Sequence, residues 1–292
     1  MGFLQVLEYF QPASISEALA FLSHEPNNTK ILAGGTDLVI QLRERSIRPN
    51  YIVDLANVKE LKSITSDGKS ITIGSMVTFQ ELEQNPLVFE YLPMLAKAGG
   101  TVGSPQIRNI ATIGGNIANA ATAADSIPAL LALEAKINLA CKNSTRQVDL
   151  EEILVGINKT SIAADELLTS IVIPIPQGKT FASFIKIGRR KALAIARLNI
   201  ALTLKFAPDN IIEKATLAAG AVGVTAYRIQ QVETYLQGKF LTDEVIAEAG
   251  KLISLVVADK LGTRPTAPYK KTIAKGALLK ALKQIKEEHG GC

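Results

Sequence analysis

Cysteine and histidine are scarce in this sequence, and the scarcity excludes several kinds of site. The 292 residues include two cysteines, Cys141 and Cys292, and two histidines, His24 and His289. The two cysteines form neither a disulfide framework nor a CxxC pair. A zinc site needs about four nitrogen or sulfur ligands, and a Ser-His-Asp or Cys-His arrangement needs a well-placed histidine. We therefore expect no metal site and no catalytic side chain.

Aromatic residues and long apolar runs are also scarce. There is no tryptophan, aromatic residues make up 5% of the chain, and the net charge of +5 is scattered along it. Nucleic-acid binders usually combine stacking aromatics with a concentrated basic face, so we expect no nucleic-acid partner. No uncharged apolar run reaches the roughly 18 residues of a membrane span. The N-terminus lacks a secretory pattern, so we expect a cytoplasmic protein.

Two turns built on Gly-Gly are the most informative feature that is present. Residues 33–37 read Ala-Gly-Gly-Thr-Asp, and residues 113–116 read Ile-Gly-Gly-Asn. Glycine lets backbone N–H groups come close to an anion because no Cβ intervenes. Two such turns predict a ligand with a diphosphate in its middle, although each turn alone also fits an ordinary loop. Neither matches the P-loop or the GxGxxG fingerprint.

Hydrophobic periodicity predicts two regions joined at the Pro-Ile-Pro-Gln-Gly stretch, residues 174–178. We predict a first domain over 1–176, with lobes of about 1–56 and 57–176, and a second domain over 177–292. The first lobe reads as a β-turn-α-β unit, and residues 61–74 read as a hairpin. Residues 99–119 hold five glycines and are predicted to be irregular. The second domain reads as strands followed by helices at about 227–237, 243–256 and 268–287, an α+β arrangement.

The second turn lies in a stretch rich in uncharged donors, with a single carboxylate at Asp125. Metal sites prefer several carboxylate, histidine or cysteine ligands. The stretch therefore favours an organic ligand with hydroxyls and phosphates, such as a ribityl diphosphate.

The string over 103–116, Gly-Ser-Pro-Gln-Ile-Arg-Asn-Ile-Ala-Thr-Ile-Gly-Gly-Asn, closely resembles the FAD-binding subunit of molybdenum hydroxylases. These enzymes form the xanthine dehydrogenase and carbon monoxide dehydrogenase family. The resemblance continues through residues 33–38, 123–125, 166–171, 184–189 and 268–270, so it covers essentially the whole chain. It implies an α+β fold: a two-lobed, PCMH-type FAD-binding domain, then a C-terminal α+β domain with an antiparallel sheet and three helices.

The resemblance also implies which residues hold FAD. The first turn would hold the adenine–diphosphate side through Ile31, Leu32, Ala33, Gly34, Gly35, Thr36, Asp37 and Leu38. The second would hold the diphosphate through Thr112, Ile113, Gly114, Gly115 and Asn116, with Asn119 and Asp125 reaching hydroxyls of FAD. Val102 and Leu168 would flank the cofactor, and Lys186 would stabilise negative charge on the reduced flavin. A lysine that snorkels from a strand is the alternative for Lys186.

Two departures from the family pattern are Ala111, where the family often has glycine, and Thr122, where it often has proline. Alanine is tolerable only if position 111 does not need a positive φ. The basic stretch Lys186, Arg189, Arg190, Lys191 and Arg197 reads either as a solvated strand face or as a docking patch. Such a patch would take a nicotinamide diphosphate or a partner subunit.

The implied function is electron transfer through FAD, which requires no protein nucleophile. Electrons would arrive from a small [2Fe–2S] subunit, which serves a large molybdenum-cofactor subunit, and leave to NAD⁺ or another acceptor. Residues 121–125 favour a xanthine dehydrogenase-like complex, assembled as a dimer of heterotrimers. The alternatives are a carbon monoxide, aldehyde or nicotinate dehydrogenase subunit, a redox-silent nucleotide-binding module, and a self-sufficient flavin oxidase.

Overall fold

The structure is a computed structural model that describes residues 7–190 and 193–290. Lys191 of the basic stretch and Cys292 lie outside the described residues. The chain forms a small parallel sheet, a five-stranded antiparallel sheet and a four-stranded antiparallel sheet, each covered by helices. Three clusters of buried apolar side chains form the cores of these regions.

The first lobe is the predicted β-turn-α-β unit, extended by one strand and one helix at its start. Its elements are β1 (Glu8–Phe10), α1 (Ile15–His24), β2 (Thr29–Leu32), α2 (Leu38–Arg43) and β3 (Tyr51–Asp54). The strands are parallel in the order β1-β3-β2. Helix α1 begins after Ser14, whose hydroxyl accepts a hydrogen bond from the Glu17 N–H at 3.2 Å. The first Gly-Gly turn joins the end of β2 to α2.

The second lobe follows two 3₁₀ turns, Leu55–Asn57 and Lys59–Lys62. Its strands are β4 (Ile64–Ser66), β5 (Ser70–Gly74), β6 (Lys136–Cys141), β7 (Ser144–Asp149), β8 (Leu154–Gly156), β9 (Lys159–Thr160) and β10 (Leu167–Pro174). Its helices are α3 (Phe79–Gln84), α4 (Pro86–Tyr91), α5 (Pro93–Gly100), α6 (Pro105–Arg108), α7 (Ile113–Asn119), α8 (Ser126–Ala132) and α9 (Leu150–Ile153). The main sheet is antiparallel in the order β4-β5-β10-β6-β7, and β8 pairs with β9. The predicted hairpin is confirmed as β4–β5.

The prediction that residues 99–119 are irregular is wrong, because α6 and α7 lie within them. Thr112 caps α7 by accepting a hydrogen bond from the Gly115 N–H at 3.1 Å, so the second glycine pair lies in the first helical turn. Ile113 and Ile117 are both 0% exposed. Their burial offsets the roughly 1 kcal/mol that each glycine costs in a helix.

The C-terminal region is a four-stranded antiparallel sheet with three helices, in agreement with the predicted α+β arrangement. Its strands are β11 (Lys179–Gly188), β12 (Ala196–Phe206), β13 (Ile212–Gly220) and β14 (Tyr227–Arg228), in that order. Its helices are α10 (Gln230–Leu236), α11 (Asp243–Leu261) and α12 (Ala267–Gly290). The predicted start of the first of these helices at 227 is wrong, because Tyr227 and Arg228 pair with β13.

Both faces of the C-terminal sheet are buried, which explains its apolar strands. Ala201 and Ala218 belong to the core of the second lobe, whereas the neighbouring Leu202 and Leu217 pack on the C-terminal helices. Side chains alternate between the faces of a strand, so one face meets α8 and the other meets α10 and α12. Across residues 7–190 and 193–290, the helices are too short or too polar to span a bilayer.

Candidate functional site

Both Gly-Gly turns line one cavity of about 340 Å³ between the two lobes. Thirteen of the predicted site residues line it: Ile31, Ala33, Gly34, Gly35, Thr36, Asp37, Leu38, Thr112, Gly114, Gly115, Asn116, Asn119 and Leu168. Five others lie outside its lining: Leu32, Val102, Ile113, Asp125 and Lys186. Ile113 belongs to the core, and Val102 packs against the same core.

The two turns touch each other, and glycine is what allows the contact. A Cβ on Gly115 would lie 3.3 Å from the Ala33 Cβ. A Cβ on Gly34 would lie 1.9 Å from the carbonyl oxygen of Ile110, where no side chain fits. Gly35 has a φ of +72°, which favours glycine. The spacing of the two turns is therefore fixed by backbone contact.

The first turn offers the free backbone donors of the cavity. Within the described residues, the N–H groups of Gly34, Gly35, Thr36 and Asp37 donate no hydrogen bond to a protein acceptor. Free amides are usual at the start of a helix, and here they extend back from Asp37, the N-cap of α2, through both glycines of the turn. They fit an anionic group, as a nest of backbone N–H groups does.

The second turn differs, because its backbone donors are already paired. The Gly114 N–H donates to the Ser75 carbonyl at 2.9 Å, and the Asn116 N–H donates to the Thr112 carbonyl at 3.0 Å. What it presents to the cavity is side chains. Asn116 Oδ1 accepts from the Ser126 hydroxyl at 2.7 Å, which leaves its Nδ2 as a donor, and Asn119 also lines the cavity. The donors together fit a dinucleotide with a charged middle and polar ends.

One wall of the cavity was missed by sequence reasoning. Five residues from the end of β9 and the loop that follows it share this wall: Thr160, Ile162, Ala163, Ala164 and Glu166. Glu166 holds this loop, because its carboxylate accepts from Arg146 at 2.6 and 2.8 Å and from the Ala163 N–H at 2.8 Å. The Arg146 guanidinium holds the pKa of Glu166 below its usual value. No local pattern links Arg146 to Glu166, so only the fold reveals the wall.

Asp125 and Lys186 form a buried ion pair outside the cavity lining. Lys186 Nζ lies 2.5 Å from Asp125 Oδ2 and donates to the Thr101 carbonyl at 2.8 Å. Asn199 Nδ2 donates to Asp125 Oδ1 and to the Ala124 carbonyl, both at 3.1 Å. Burial raises the pKa of the Asp125 carboxyl, while Lys186 and Asn199 oppose that rise. The snorkelling alternative for Lys186 is wrong, because its side chain is only 13% exposed.

Asn199 was also missed by sequence reasoning. It is 0% exposed within an apolar strand, where a lone amide gives no periodic signal. It nevertheless joins β12 to the N-terminal end of α8. The lysine on β11 and the asparagine on β12 thus tie the C-terminal sheet to Asp125 of the second lobe.

The two departures from the family pattern are compatible with the backbone. Ala111 is absent from the described residues with positive φ, so alanine is tolerated there. The Thr122 carbonyl accepts from the Ala221 N–H at 2.7 Å, which holds its loop against the C-terminal region. The basic stretch is not one strand face, because Lys186 points to Asp125 while Arg190 donates to the Leu193 carbonyl.

Comparisons with known proteins agree with this geometry. Residues 5–176 match the family model described as the FAD binding domain in molybdopterin dehydrogenase. Residues 183–285 match the CO dehydrogenase flavoprotein C-terminal domain. The chain is 32% identical over 290 residues to the nicotinate dehydrogenase FAD-subunit of Eubacterium barkeri, with 98% of each chain covered. It is 32% identical over 286 residues to a putative xanthine dehydrogenase FAD-binding subunit of Escherichia coli, with 97% of each covered.

A solved structure of carbon monoxide dehydrogenase from Hydrogenophaga pseudoflava is similar in fold. The TM-score is 0.89 at 28% identity, with 95% of this chain and 96% of that chain covered. The resemblance drawn from residues 103–116 is thereby confirmed, as is the expectation that FAD is the cofactor. The chain belongs to the FAD-binding subunits of the molybdopterin dehydrogenase family, whose members are oxidoreductase components.

Proposed function

We propose that this chain transfers electrons between a [2Fe–2S] partner subunit and NAD⁺ or another acceptor. A large subunit with the molybdenum cofactor would oxidise the substrate. Bound FAD supplies the exchange between one-electron and two-electron transfer, which no side chain of this protein offers. The supporting observation is that one cavity joins four unpaired amides to the side chains of the second turn. The two cysteines of the sequence are too few to hold a [2Fe–2S] cluster.

In this proposal FAD lies extended across the cavity, with its diphosphate against residues 34–37. Their four amides would each donate to the diphosphate, and the positive end of α2 would add to the attraction. Asn116 and Asn119 would bind hydroxyls from the other side. Leu168 would pack against the cofactor at the far wall.

The Asp125–Lys186 pair would lie towards the flavin end. Lys186 would stabilise negative charge that develops there, and Asp125 would accept from a ribityl hydroxyl. Lys186 Nζ lies 2.5 Å from Asp125 Oδ2, and the negative carboxylate offsets part of the positive charge of the lysine. The pair would therefore moderate the cationic field while holding the lysine in one place.

Flavin binding by the purified full chain tests where FAD lies. Asn119→Ala removes a cavity side chain without adding bulk, and Asn143→Ala is the matched change on the exposed β6–β7 turn. We expect Asn119→Ala to weaken FAD binding by about tenfold, or 1.4 kcal/mol, with Asn143→Ala unchanged. Gly35→Val should weaken binding further, because φ there is +72°. Equal flavin affinity in all of these proteins would remove the cavity from consideration.

Gly114→Val is not a suitable test of FAD binding. A Cβ on Gly114 would lie 2.5 Å from the Ser75 Cβ and 2.6 Å from the Ser75 carbonyl oxygen. The variant would therefore lose its fold before any loss of FAD could be measured.

Electron transfer and substrate are tested on the co-purified complex. Anaerobic NADH should bleach the flavin if NAD⁺ is the acceptor, and a screen of purines, nicotinate, aldehydes and carbon monoxide should identify the substrate. We propose a xanthine-type purine. Nicotinate is the second candidate, because the relative that bears its name matches 98% of the chain. Flavin that neither dithionite nor NADH reduces would favour a redox-silent module.

The proposal extends to the division of the chain and its assembly. We propose domains at 1–176 and 177–292, supported by the position of β10 and β11 in different sheets. We also propose a cytoplasmic complex that assembles as a dimer of heterotrimers. Cell fractionation and light-scattering mass of the purified complex would test these last two points.

A further inference from the structure

Lys270 contacts the loop that follows β13, and Arg197 and Arg264 lie on neighbouring segments of the chain. Lys270 Nζ donates to the carbonyl of Ala221, the first residue of that loop. Gly220 pairs with Asn199 across the sheet, so Arg197 lies beside the residues that follow Gly220. Arg264 lies just before α12, and its carbonyl accepts from the Ala267 N–H at 2.8 Å. Ala267 is the first residue of α12 and lies about one turn before Lys270. We name Arg197, Arg264 and Lys270 the cation cluster.

The cation cluster has no anionic partner among the residues that the structure describes. The described residues form nine ion pairs, and none of these pairs includes a member of the cation cluster. Arg197 and Lys270 are half-buried, and Arg264 is exposed. Burial lowers the pKa of the Lys270 amine, and the charges of Arg197 and Arg264 lower it further.

Two more features add positive potential at the same place. Lys270 lies in the first turn of α12, where the helix dipole is positive and no acidic residue occurs. Lys260 Nζ lies 4.9 Å from the centroid of the Tyr227 ring, which follows the same loop. A half-buried charge loses part of its hydration, so a counter-charge beside it is stabilising. The arrangement therefore has the electrostatics of an anion site.

We propose that the cation cluster binds the phosphate group of a small molecule, at a site separate from the cavity of the glycine turns. An arginine fork matches phosphate oxygens in two places, and a lysine adds a point charge. A doubly charged phosphate balances three cations better than a single carboxylate does. The proposal stands whether or not the electron-transfer role is correct.

The site lies beside the Asp125–Lys186 pair. Arg197 lies two residues before Asn199 on β12, and Asn199 donates to Asp125 at 3.1 Å. The Ala221 N–H donates to the Thr122 carbonyl at 2.7 Å, three residues before Asp125. A phosphate-bearing ligand held here would extend towards Asp125 and Lys186.

Titration of the FAD-saturated full chain at constant ionic strength tests the site. The probes are inorganic phosphate, adenosine monophosphate and adenosine, followed by calorimetry and thermal shift. We expect the first two to bind and adenosine to fail. Lys270→Gln and Arg197→Gln should each weaken phosphate binding by about tenfold or more, whereas Lys251→Gln, an exposed lysine on α11, should change nothing.

The apo protein supplies a second readout. Without phosphate, Lys270→Gln should raise the melting temperature, because it relieves repulsion within the cation cluster; added phosphate should reduce that advantage. The proposal is overturned if phosphate still binds to Lys270→Gln but no longer binds to Gly35→Val. It is also overturned if FAD abolishes phosphate binding. Either result would assign the anion to the glycine turns. Normal phosphate binding by Lys270→Gln and Arg197→Gln would overturn the proposal too. The same holds if these variants instead release a co-purified subunit.

Discussion

Replacing Lys186 with methionine measures the contribution of the buried ion pair. Methionine keeps most of the apolar stem and removes the ammonium. The side chains of Lys186 and Asp125 are 13% and 7% exposed, so the variant leaves a carboxylate with little access to water. Loss of one partner of a buried pair costs about 3–5 kcal/mol. We expect about 3 kcal/mol, the lower end, because Asn199 continues to donate to Asp125.

The size of this loss should depend on pH in a defined direction. Burial raises the pKa of the Asp125 carboxyl, and the variant lacks the ammonium that opposes the rise. Its folded state then binds a proton more tightly than its unfolded state, so its stability falls as pH rises between the two pKa values. The expected slope is at most about 1.4 kcal/mol per pH unit. The wild-type protein should show a shallower slope, since its ammonium remains.

Urea unfolding of the full chain, followed by circular dichroism from about pH 5 to about pH 8, measures both effects. Lys251→Met is the control, because Lys251 and its partner Glu248 are 63% and 52% exposed. An exposed pair contributes at most about 1 kcal/mol. If Lys186→Met costs no more than this control, or if its cost is the same at every pH, the reasoning about burial is refuted.

Three further changes test other parts of the structure. Gly34→Ala should lower the free energy of unfolding by more than about 3 kcal/mol, because its Cβ would lie 1.9 Å from the Ile110 carbonyl oxygen. Its control Gly276→Ala, in open space on α12, should raise that free energy by about 0.5–1 kcal/mol in the same urea assay. The ionised Glu166 carboxylate stabilises the folded state above about pH 4.3, and this stabilisation is lost as pH falls through the lowered pKa of the folded state. Glu166→Gln should remove it. The measurement is the melting temperature as a function of pH. Tyr227→Phe should leave stability unchanged or raise it by about 1 kcal/mol, because burial raises the pKa of Tyr227 to about 12 and its hydroxyl has no partner in the described chain.

Each of these expectations has a contradicting result. Similar effects of Gly34→Ala and Gly276→Ala would mean that the two turns do not touch. If the melting temperature of Glu166→Gln follows pH in parallel with that of the wild type, the Glu166 carboxylate does not hold the loop that forms this wall of the cavity. A clear loss of stability in Tyr227→Phe would reveal a hydrogen-bond partner for the hydroxyl.

Local signals account for what the sequence predicted correctly. A glycine pair after an apolar run reports a backbone requirement at that position, so both turns are predictable, and they line one cavity. The β4–β5 hairpin follows from its turn residues in the same way. The prediction failed where a tertiary contact overrides propensity, as in α7, whose Gly114 packs on Ser75.

Contacts between distant residues explain what the sequence did not predict. Asn199 meets Asp125 across 74 positions, and Arg146 meets Glu166 across 20. Neither pair has a characteristic spacing, so their roles appear only when the strands are placed side by side. The resemblance supplied Asp125 and Lys186 as site residues, but it did not give their mutual ion pair.

The backbone contact between the two turns has a kinetic consequence. Gly115 approaches Ala33, and Gly34 approaches Ile110, with no side chain between them that could swing aside. A ligand that bridges the turns therefore meets a preorganised surface and loses little loop entropy on binding. Association should proceed in one step whose rate rises linearly with ligand concentration, without the plateau of a slow closing motion. Differences in affinity among variants of this site should then appear in the dissociation rate.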